Sequence, residues 1–248
     1  MNKLELEVAA LVDWLRKHML AAQAQGLLVG VSGGVDSAVV AALIKRAVPE
    51  HALGVILPCF SDDRDIANAR GVCASLELAW IEYDLSGAHQ AFLPGLLQQP
   101  EIAPRVDPRR YRMTDANLRA RLRMCALYAV ANNLDCLVVG TDNAAETYCG
   151  YFTKYGDGGV DLLPLALYRK EEVRAMARLL GIPDPIIEQP PTAGLWPGQT
   201  DEQEMGVTYQ EIDRLLAGGA VDPRSRERIE ELHRRSEHKR HAPPHFIR

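Results

Sequence analysis

"LLVGVSGGVDSAVVAAL", Leu27 to Leu43, passes from an apolar run through two adjacent glycines into a stretch rich in alanine and valine. Leu27–Val31 reads as a short buried strand and Val35–Val48 as an apolar helix. The six residues joining them, "SGGVDS" (Ser32–Ser37), decide how the chain is read. Their glycines free the backbone to turn N–H groups inward, and the following helix adds its positive N-terminal end. Ser32 and Ser37 can donate hydroxyl hydrogen bonds to phosphate oxygens. A plain strand-to-helix turn with Asp36 or Ser37 as the N-cap is the simpler alternative. The complete six-residue pattern between a strand and an apolar helix favours an anion loop. That loop has no lysine of the common P-loop kind, and it places a carboxylate, Asp36, where an anion should sit. The contradiction disappears if Mg²⁺ lies between Asp36 and the phosphates, since Mg²⁺ commonly bridges one or two carboxylates to a nucleotide. Such an arrangement suits a reaction in which pyrophosphate leaves while the α phosphate is attacked.

Outward from this loop, strands and helices alternate. Leu4, Val8, Leu11, Val12, Leu15 and Met19 share one helical face upstream, and Gly26 closes that segment. Downstream, strands are expected at Ala52–Pro58, Ala79–Leu85 and Cys136–Gly140. Helices are expected at about Asp62–Leu76, from Thr114 or Asp115 to Asn132, from Ala144, and at about Arg169–Leu180, Thr208–Leu216 and Pro223–Arg235. Glu101–Met113 reads as a loop. Buried strands alternating with helices predict an α/β fold, a parallel β-sheet covered by helices on both faces, in a single domain spanning 1–248. Ligands of such sheets bind beyond the carboxyl ends of the strands. Residues 32–37, 58–65 and 141–146 all fall at that edge.

Composition sets the outer limits. The 248 residues are 47% hydrophobic and 25% charged, enough for one substantial core. No apolar run is long enough to span a membrane, and no signal pattern opens the chain, so a cytoplasmic location is expected. Five scattered cysteines without a CxxC pair argue against a disulfide framework or a zinc site, and each is expected to be a small buried hydrophobe. The net charge of −5 is uneven: Arg224–Arg248 carries eight Lys/Arg against four Asp/Glu. A mildly acidic body makes a general nucleic-acid binder unsuitable.

"SGGVDS" resembles the signature of the N-type ATP pyrophosphatases, which cleave ATP to AMP and pyrophosphate while activating a substrate as its adenylate. Further along, "VVGTDNAAE" (Val138–Glu146) and "GYFTKYGDGGVD" (Gly150–Asp161) resemble the diagnostic parts of the NAD synthetase family. "PPTAGLWPGQTDEQEMGVTYQEID" (Pro190–Asp213) and "EHKR" (Glu237–Arg240) follow in the family's order. The resemblance runs from about Gly26 to Arg240. It implies a Rossmann-like ATP pyrophosphatase fold and ammonia-dependent amidation of deamido-NAD (nicotinic acid adenine dinucleotide) to NAD, with ATP as co-substrate and Mg²⁺ as cofactor. It also implies a homodimer with the dinucleotide site near the subunit interface, and no nucleic-acid or membrane partner.

Residue by residue, the resemblance puts Gly30, Ser32, Gly33, Gly34, Asp36, Ser37, Thr141, Lys170 and Thr192 at ATP-binding positions. Asp36 and Glu146 become the Mg²⁺ ligands. Arg121, Lys154, Asp161, His238 and Lys239 match positions that hold deamido-NAD. Plainer readings stand beside these: Glu146 as a first-turn carboxylate favoured by the helix dipole, Arg121 as a solvated arginine, "KYGDGG" as a simple turn. Lys170 is a mild misfit at the positive end of its helix, which points to an anion nearby. The tail from residue 237 is expected to be mobile, with "EHKR" ordering over a dianionic dinucleotide. A tRNA-modifying relative and a catalytically silent nucleotide sensor are the rival readings. The first lacks the cysteines and the broad basic face it needs, and the second should have lost some of Asp36, Glu146, Lys154 or Lys170. "LPCFSDDRD" (Leu57–Asp65) departs from the versions expected after the second strand, which leaves adenine contacts there open.

Overall fold

Strand β1 (Gly26–Gly30) sends Leu27 and Val29 to one side of the sheet and Leu28 to the other, and all three are fully buried. A strand with no solvent face must be covered twice, as the period-two geometry of side chains requires. The computed structural model describes residues 2–192 and 199–246 and shows how this is done. On the first side lie α1 (Lys3–Ala21), α2 (Val35–Ala47), α3 (Asp63–Ser75) and α7 (Lys170–Leu180), which meet the sheet in one large core. On the second side α5 (Pro108–Leu134) packs Ala131, Leu127 and Leu122 against Leu28, Val55 and Val138. The remaining strands are β2 (Ala52–Ile56), β3 (Ala79–Glu82) and β4 (Cys136–Val138).

The four strands are parallel, in the order β3-β2-β1-β4. After β1 the chain builds outward through β2 and β3, then returns to add β4 on the opposite side of β1. The crevice between the carboxyl ends of β1 and β4 is therefore the topological switch point, where ligands of open α/β sheets bind. After α7 come the short helices α8 (Asp184–Ile187) and α9 (Asp201–Met205), and a third, smaller apolar cluster joins α6 (Ala144–Cys149), α9, α10 (Tyr209–Leu216) and α11 (Pro223–Arg235) beside this crevice.

The expected α/β architecture is present, and the differences from the sequence expectations have local causes. The segment read as a loop at 101–113 already contains the start of α5. Asp107 caps this helix by accepting from the Arg109 backbone N–H at 3.0 Å, and Pro108 occupies its first position. Asp115 is not a cap: it pairs with Arg119 one turn on at 2.6 Å and with His89 at 3.0 Å. The Thr114 hydroxyl donates back to the Arg110 carbonyl at 3.0 Å. An unexpected helix, α4 (Ser86–Leu97), contains Pro94, which conceals it in the sequence. Strand β3 is an exposed edge rather than a buried strand. Of the cysteines, Cys125 is exposed and Cys136 half-buried; Cys59, Cys73 and Cys149 are buried as expected.

Candidate active site

Three helices begin at the switch point. After β1, the chain turns through Gly33, whose φ of +89° is in the left-handed region. A Cβ there would sit 2.4 Å from the Asp65 carbonyl oxygen, so the close approach of this turn to α3 requires glycine. The turn is knitted by its own serines: the Ser37 hydroxyl donates to the Gly34 carbonyl at 2.9 Å, and the two hydroxyls of Ser32 and Ser37 lie 3.1 Å apart. Asp36 then falls in the first turn of α2.

Helix α6 follows β4 and starts with a capping box. The Asn143 side-chain oxygen accepts from the backbone N–H groups of Ala145 and Glu146, and Glu146 Oε2 accepts from the Asn143 N–H at 3.0 Å. Asn143 Nδ2 also donates to Asp36 Oδ1 at 3.1 Å, which ties the two helix starts together. Lys170, the first residue of α7, closes the group. It is only 3% exposed, and its Nζ lies 2.5 Å from Asp36 Oδ2 and 3.6 Å from Glu146 Oε1.

From α10, Tyr209 adds a hydroxyl within 2.8 Å of Glu146 Oε1 and 3.0 Å of Asp201 Oδ2. Its ring lies 4.7 Å from Lys170 Nζ, a cation–π contact. Behind it, Tyr151 donates to Glu204 at 2.7 Å. Burial pushes Glu146 up to about 7, against the pull of Lys170. For Lys170 burial acts in the opposite sense, but Asp36 and Glu146 outweigh it and hold the ammonium well above the ordinary lysine range.

A cleft of about 410 Å³ opens over this group. Of the residues assigned to ATP, Gly30, Ser32, Gly34, Asp36, Ser37, Thr141, Lys170 and Thr192 line it together with Glu146, while Gly33 shapes the turn from behind. The residues assigned to deamido-NAD are arranged differently. Only Lys239 lines the cleft. Beside it, Lys154 Nζ donates to the His238 carbonyl at 2.5 Å, and Arg121 reaches the Lys154 carbonyl at 3.4 Å. Asp161 stands apart from that group. Its carboxylate accepts from the Val138 N–H at 2.8 Å and from the Tyr128 hydroxyl at 3.0 Å, bracing β4 against α5.

The "EHKR" stretch forms a short helix, α12 (Glu237–Arg240), seated on the carboxyl end of α6. Arg240 donates to the carbonyls of Tyr148 at 3.0 Å and His233 at 2.6 Å, and Lys239 Nζ donates to those of Gly150 at 2.8 Å and Phe152 at 2.6 Å. Cations here also complement the negative end of the α6 dipole. Residues 193–198 of the quoted 190–213 motif, and 247–248 of the tail, lie outside the described residues.

Three cleft residues, Asp142, Asp157 and Arg123, and Tyr209 behind the cleft escaped the sequence reading. Asp142 is a buried carboxylate held above its usual range, chiefly by burial, and Asp157 lines the cleft from an exposed turn, accepting from the Thr153 N–H at 2.8 Å. Both sit inside quoted motifs, but a lone aspartate in a turn-like stretch carries no signal of its own. Tyr209 also sits inside a quoted motif, 190–213, but nothing in the sequence ties it to Glu146, from which α10 is distant. Arg123 lines the cleft and fixes the loop after β2, donating to the Leu57 carbonyl at 2.9 Å and to Ser61 at 3.2 Å. The i, i+4 spacing of Arg119 and Arg123 would have placed them on one helical face, away from Arg121.

Asp36 and Glu146 fit a magnesium ion as hard oxygen donors already bridged by a cation. No group of three or more acidic, histidine or cysteine side chains suited to a metal occurs among the described residues. A metal here would therefore need ligands from the nucleotide as well.

A parallel sheet with a glycine–serine loop, paired carboxylates and a buried lysine at its switch point defines a nucleotide-binding α/β enzyme. Residues 7–243 match the family model for NAD synthase. The chain belongs to the NAD synthase family. It is 50% identical to the NH(3)-dependent NAD(+) synthetase of Alkaliphilus oremlandii over 98% of this chain and 97% of that protein. Among solved structures, NMN synthetase from Francisella tularensis matches with a TM-score of 0.89 at 38% identity, covering 99% of this chain and 100% of that one. NAD+ synthetase from Burkholderia pseudomallei matches with a TM-score of 0.79 at 31% identity, over 98% and 92% of the two chains.

Proposed function

We propose that this enzyme amidates deamido-NAD to NAD with ammonia and ATP, releasing AMP and pyrophosphate. The observation that carries the reading is the meeting of Asp36, Glu146 and Lys170 over the "SGGVDS" loop at the β1–β4 crevice, in a chain of the NAD synthase family. A carboxylate is a poor electrophile, so it must first acquire a leaving group. The substrate carboxylate oxygen attacks the α phosphorus, the bond to the β-phosphate oxygen breaks, and pyrophosphate departs. Ammonia then attacks the carbonyl of the mixed anhydride, the carbonyl–oxygen bond to AMP breaks, and the nitrogen gives up one proton.

The chain's residues act mainly by position and charge. Ser32, Ser37 and the loop amides hold the departing phosphates, and Lys170 offsets the negative charge that grows on them. Thr141 and Thr192 contact the nucleotide, and Asp36 and Glu146 would hold Mg²⁺, which would offset negative charge on the phosphates. Arg121, Lys154, His238 and Lys239 bind the dinucleotide. Asp161, assigned to the same task, supports that site from outside by bracing β4 against α5. The whole of 1–248 works as one synthetase domain in the cytoplasm, as a homodimer. In support, no helix among the described residues is long and apolar enough to cross a membrane. The outer sheet edge and α4 also leave Trp80, Ile81, Tyr83, Phe92 and Leu96 exposed.

A second reading takes the mononucleotide acid to NMN by the same two steps, and the close likeness to the Francisella NMN synthetase favours it. One assay separates the two. Purified enzyme receives MgATP, an ammonium salt and either deamido-NAD or nicotinic acid mononucleotide, and the amide and AMP are quantified. NAD formed with one AMP each, and none without ammonium, is the expected result. Preference for the mononucleotide by kcat/KM transfers the assignment to the second reading. ATP cleavage without either amide overturns both.

A further inference from the structure

We propose that Lys170 is a built-in place-holder for the divalent cation: its ammonium occupies the gap between Asp36 and Glu146 until metal and nucleotide arrive together. This rests on the metal reading of those two carboxylates. Every oxygen of the pair is already engaged. Asp36 Oδ1 accepts from Asn143 Nδ2, and Glu146 Oε2 from the Asn143 N–H. Glu146 Oε1 accepts from Tyr209, and Asp36 Oδ2 from Lys170.

Three of these four donors cannot leave cheaply. Asn143 is the cap of α6, and Tyr209 is buried and shared with Asp201. The lysine alone sits on a flexible four-carbon stem. Its helix stays fixed meanwhile, because α7 has its own capping interaction between Arg169 and Glu172.

An incoming divalent cation therefore displaces the ammonium, since two cations a few ångströms apart in a buried site repel strongly. A displaced lysine needs another anion at once, because an unpaired buried charge is costly. The other cations lining the cleft are committed elsewhere, Lys239 to the carbonyls of Gly150 and Phe152 and Arg123 to the Leu57 carbonyl and Ser61, so neither stands ready to replace Lys170. The polyphosphate of the nucleotide supplies the anion that receives Lys170. Metal and nucleotide binding are thereby coupled, and thermodynamic linkage makes the coupling reciprocal. The free enzyme then holds little metal, and MgATP enters as a unit.

The test measures Mn²⁺ binding by electron paramagnetic resonance on the full chain, with and without α,β-methylene-ATP, for the wild type, Lys170→Gln and Asp36→Asn. Lys170→Gln is expected to bind Mn²⁺ without nucleotide at least about tenfold more tightly than the wild type, with a correspondingly smaller gain on adding nucleotide. No gain in Lys170→Gln, or wild-type binding of Mn²⁺ alone as tight as with nucleotide, overturns the place-holder. Asp36→Asn addresses the underlying reading: undiminished Mn²⁺ binding with nucleotide in this variant removes the metal assignment itself. If Lys170→Gln folds poorly, Lys170→Met with melting temperature as the readout serves instead. Mn²⁺ alone should raise the melting point of that variant and leave the wild type unmoved, and equal shifts would count against the proposal.

Discussion

At the scale of single residues, the Tyr209 hydroxyl has two carboxylates to satisfy, the partly buried Glu146 and the buried Asp201. Tyr209→Phe keeps the ring beneath Lys170 and removes only that donor. Leaving buried acceptors unmatched costs about 1–3 kcal/mol, so a lower melting temperature is expected. Loss of an outer-shell donor should also weaken metal-dependent ATP binding about tenfold. Unchanged KM for MgATP in a folded variant would show that Glu146 needs no such support. Glu146 itself predicts a pH dependence. Its carboxyl is raised to about 7 by burial, above its unfolded value of 4.5, so the folded state holds the extra proton between these limits. The stabilisation is complete below pH 4.5 and is lost as pH rises through 7. Metal-free wild type should therefore lose melting temperature across this window relative to Glu146→Gln, while Mg²⁺-dependent nucleotide binding weakens as pH falls below 7. Parallel pH profiles for the two proteins would exclude Glu146 as the source. The loop residues of this site were legible in the sequence because strand, glycines and helix are contiguous there. Tyr209 and Arg123 were not, because only the tertiary fold brings their helices to the cleft.

At the scale of elements, α6 is short and depends on both of its ends. Asn143 caps its start, and α12 covers its carbonyls through Arg240 and Lys239. Gly150 makes this possible: its φ is +64°, and a Cβ there would lie 2.1 Å from that of Ser236. Arg240→Ala should expose those carbonyls, cost about 1–3 kcal/mol and open the chain after Ser236 to proteases. A melting point and a cleavage pattern like the wild type's would show that α12 adds nothing to α6. Helices α2, α7, α10 and α11 were readable from apolar spacing and polar flanks. The start of α5 was missed because Arg109, Arg110 and Arg112 lack any apolar face. Helix α4 was missed because proline and glycine are normally read as breakers.

At the scale of the whole molecule, the sheet is finished on one side only. Among the described residues strand β3 has no neighbour beyond it, and Trp80, Ile81, Tyr83, Phe92 and Leu96 remain exposed on β3, just after it and on α4. Exposed apolar surface on this scale marks an interaction face. Sedimentation equilibrium should give twice the 27.4 kDa chain mass, and Phe92→Lys combined with Leu96→Lys should shift the protein toward monomer. A wild type of single-chain mass at micromolar concentration would rule out the homodimer. The parallel α/β class was legible from alternating strands and helices. Which strand becomes the edge was not read, although Glu82 and Asp84 already set β3 apart from the uncharged β1 and β2.

The brace made by Asp161 has a consequence for the stretch that precedes it. With Gly150 gripped by α12 and Asp161 fastened to both β4 and α5, the residues between them form an arch with two anchored feet. Gly158 rests against the Phe152 ring inside that arch, which limits sideways sway. The span is also held between its feet, where Thr153 donates to Asn117 on α5 at 2.8 Å and Lys154 to the His238 carbonyl on α12, so any displacement of this stretch must draw on both helices.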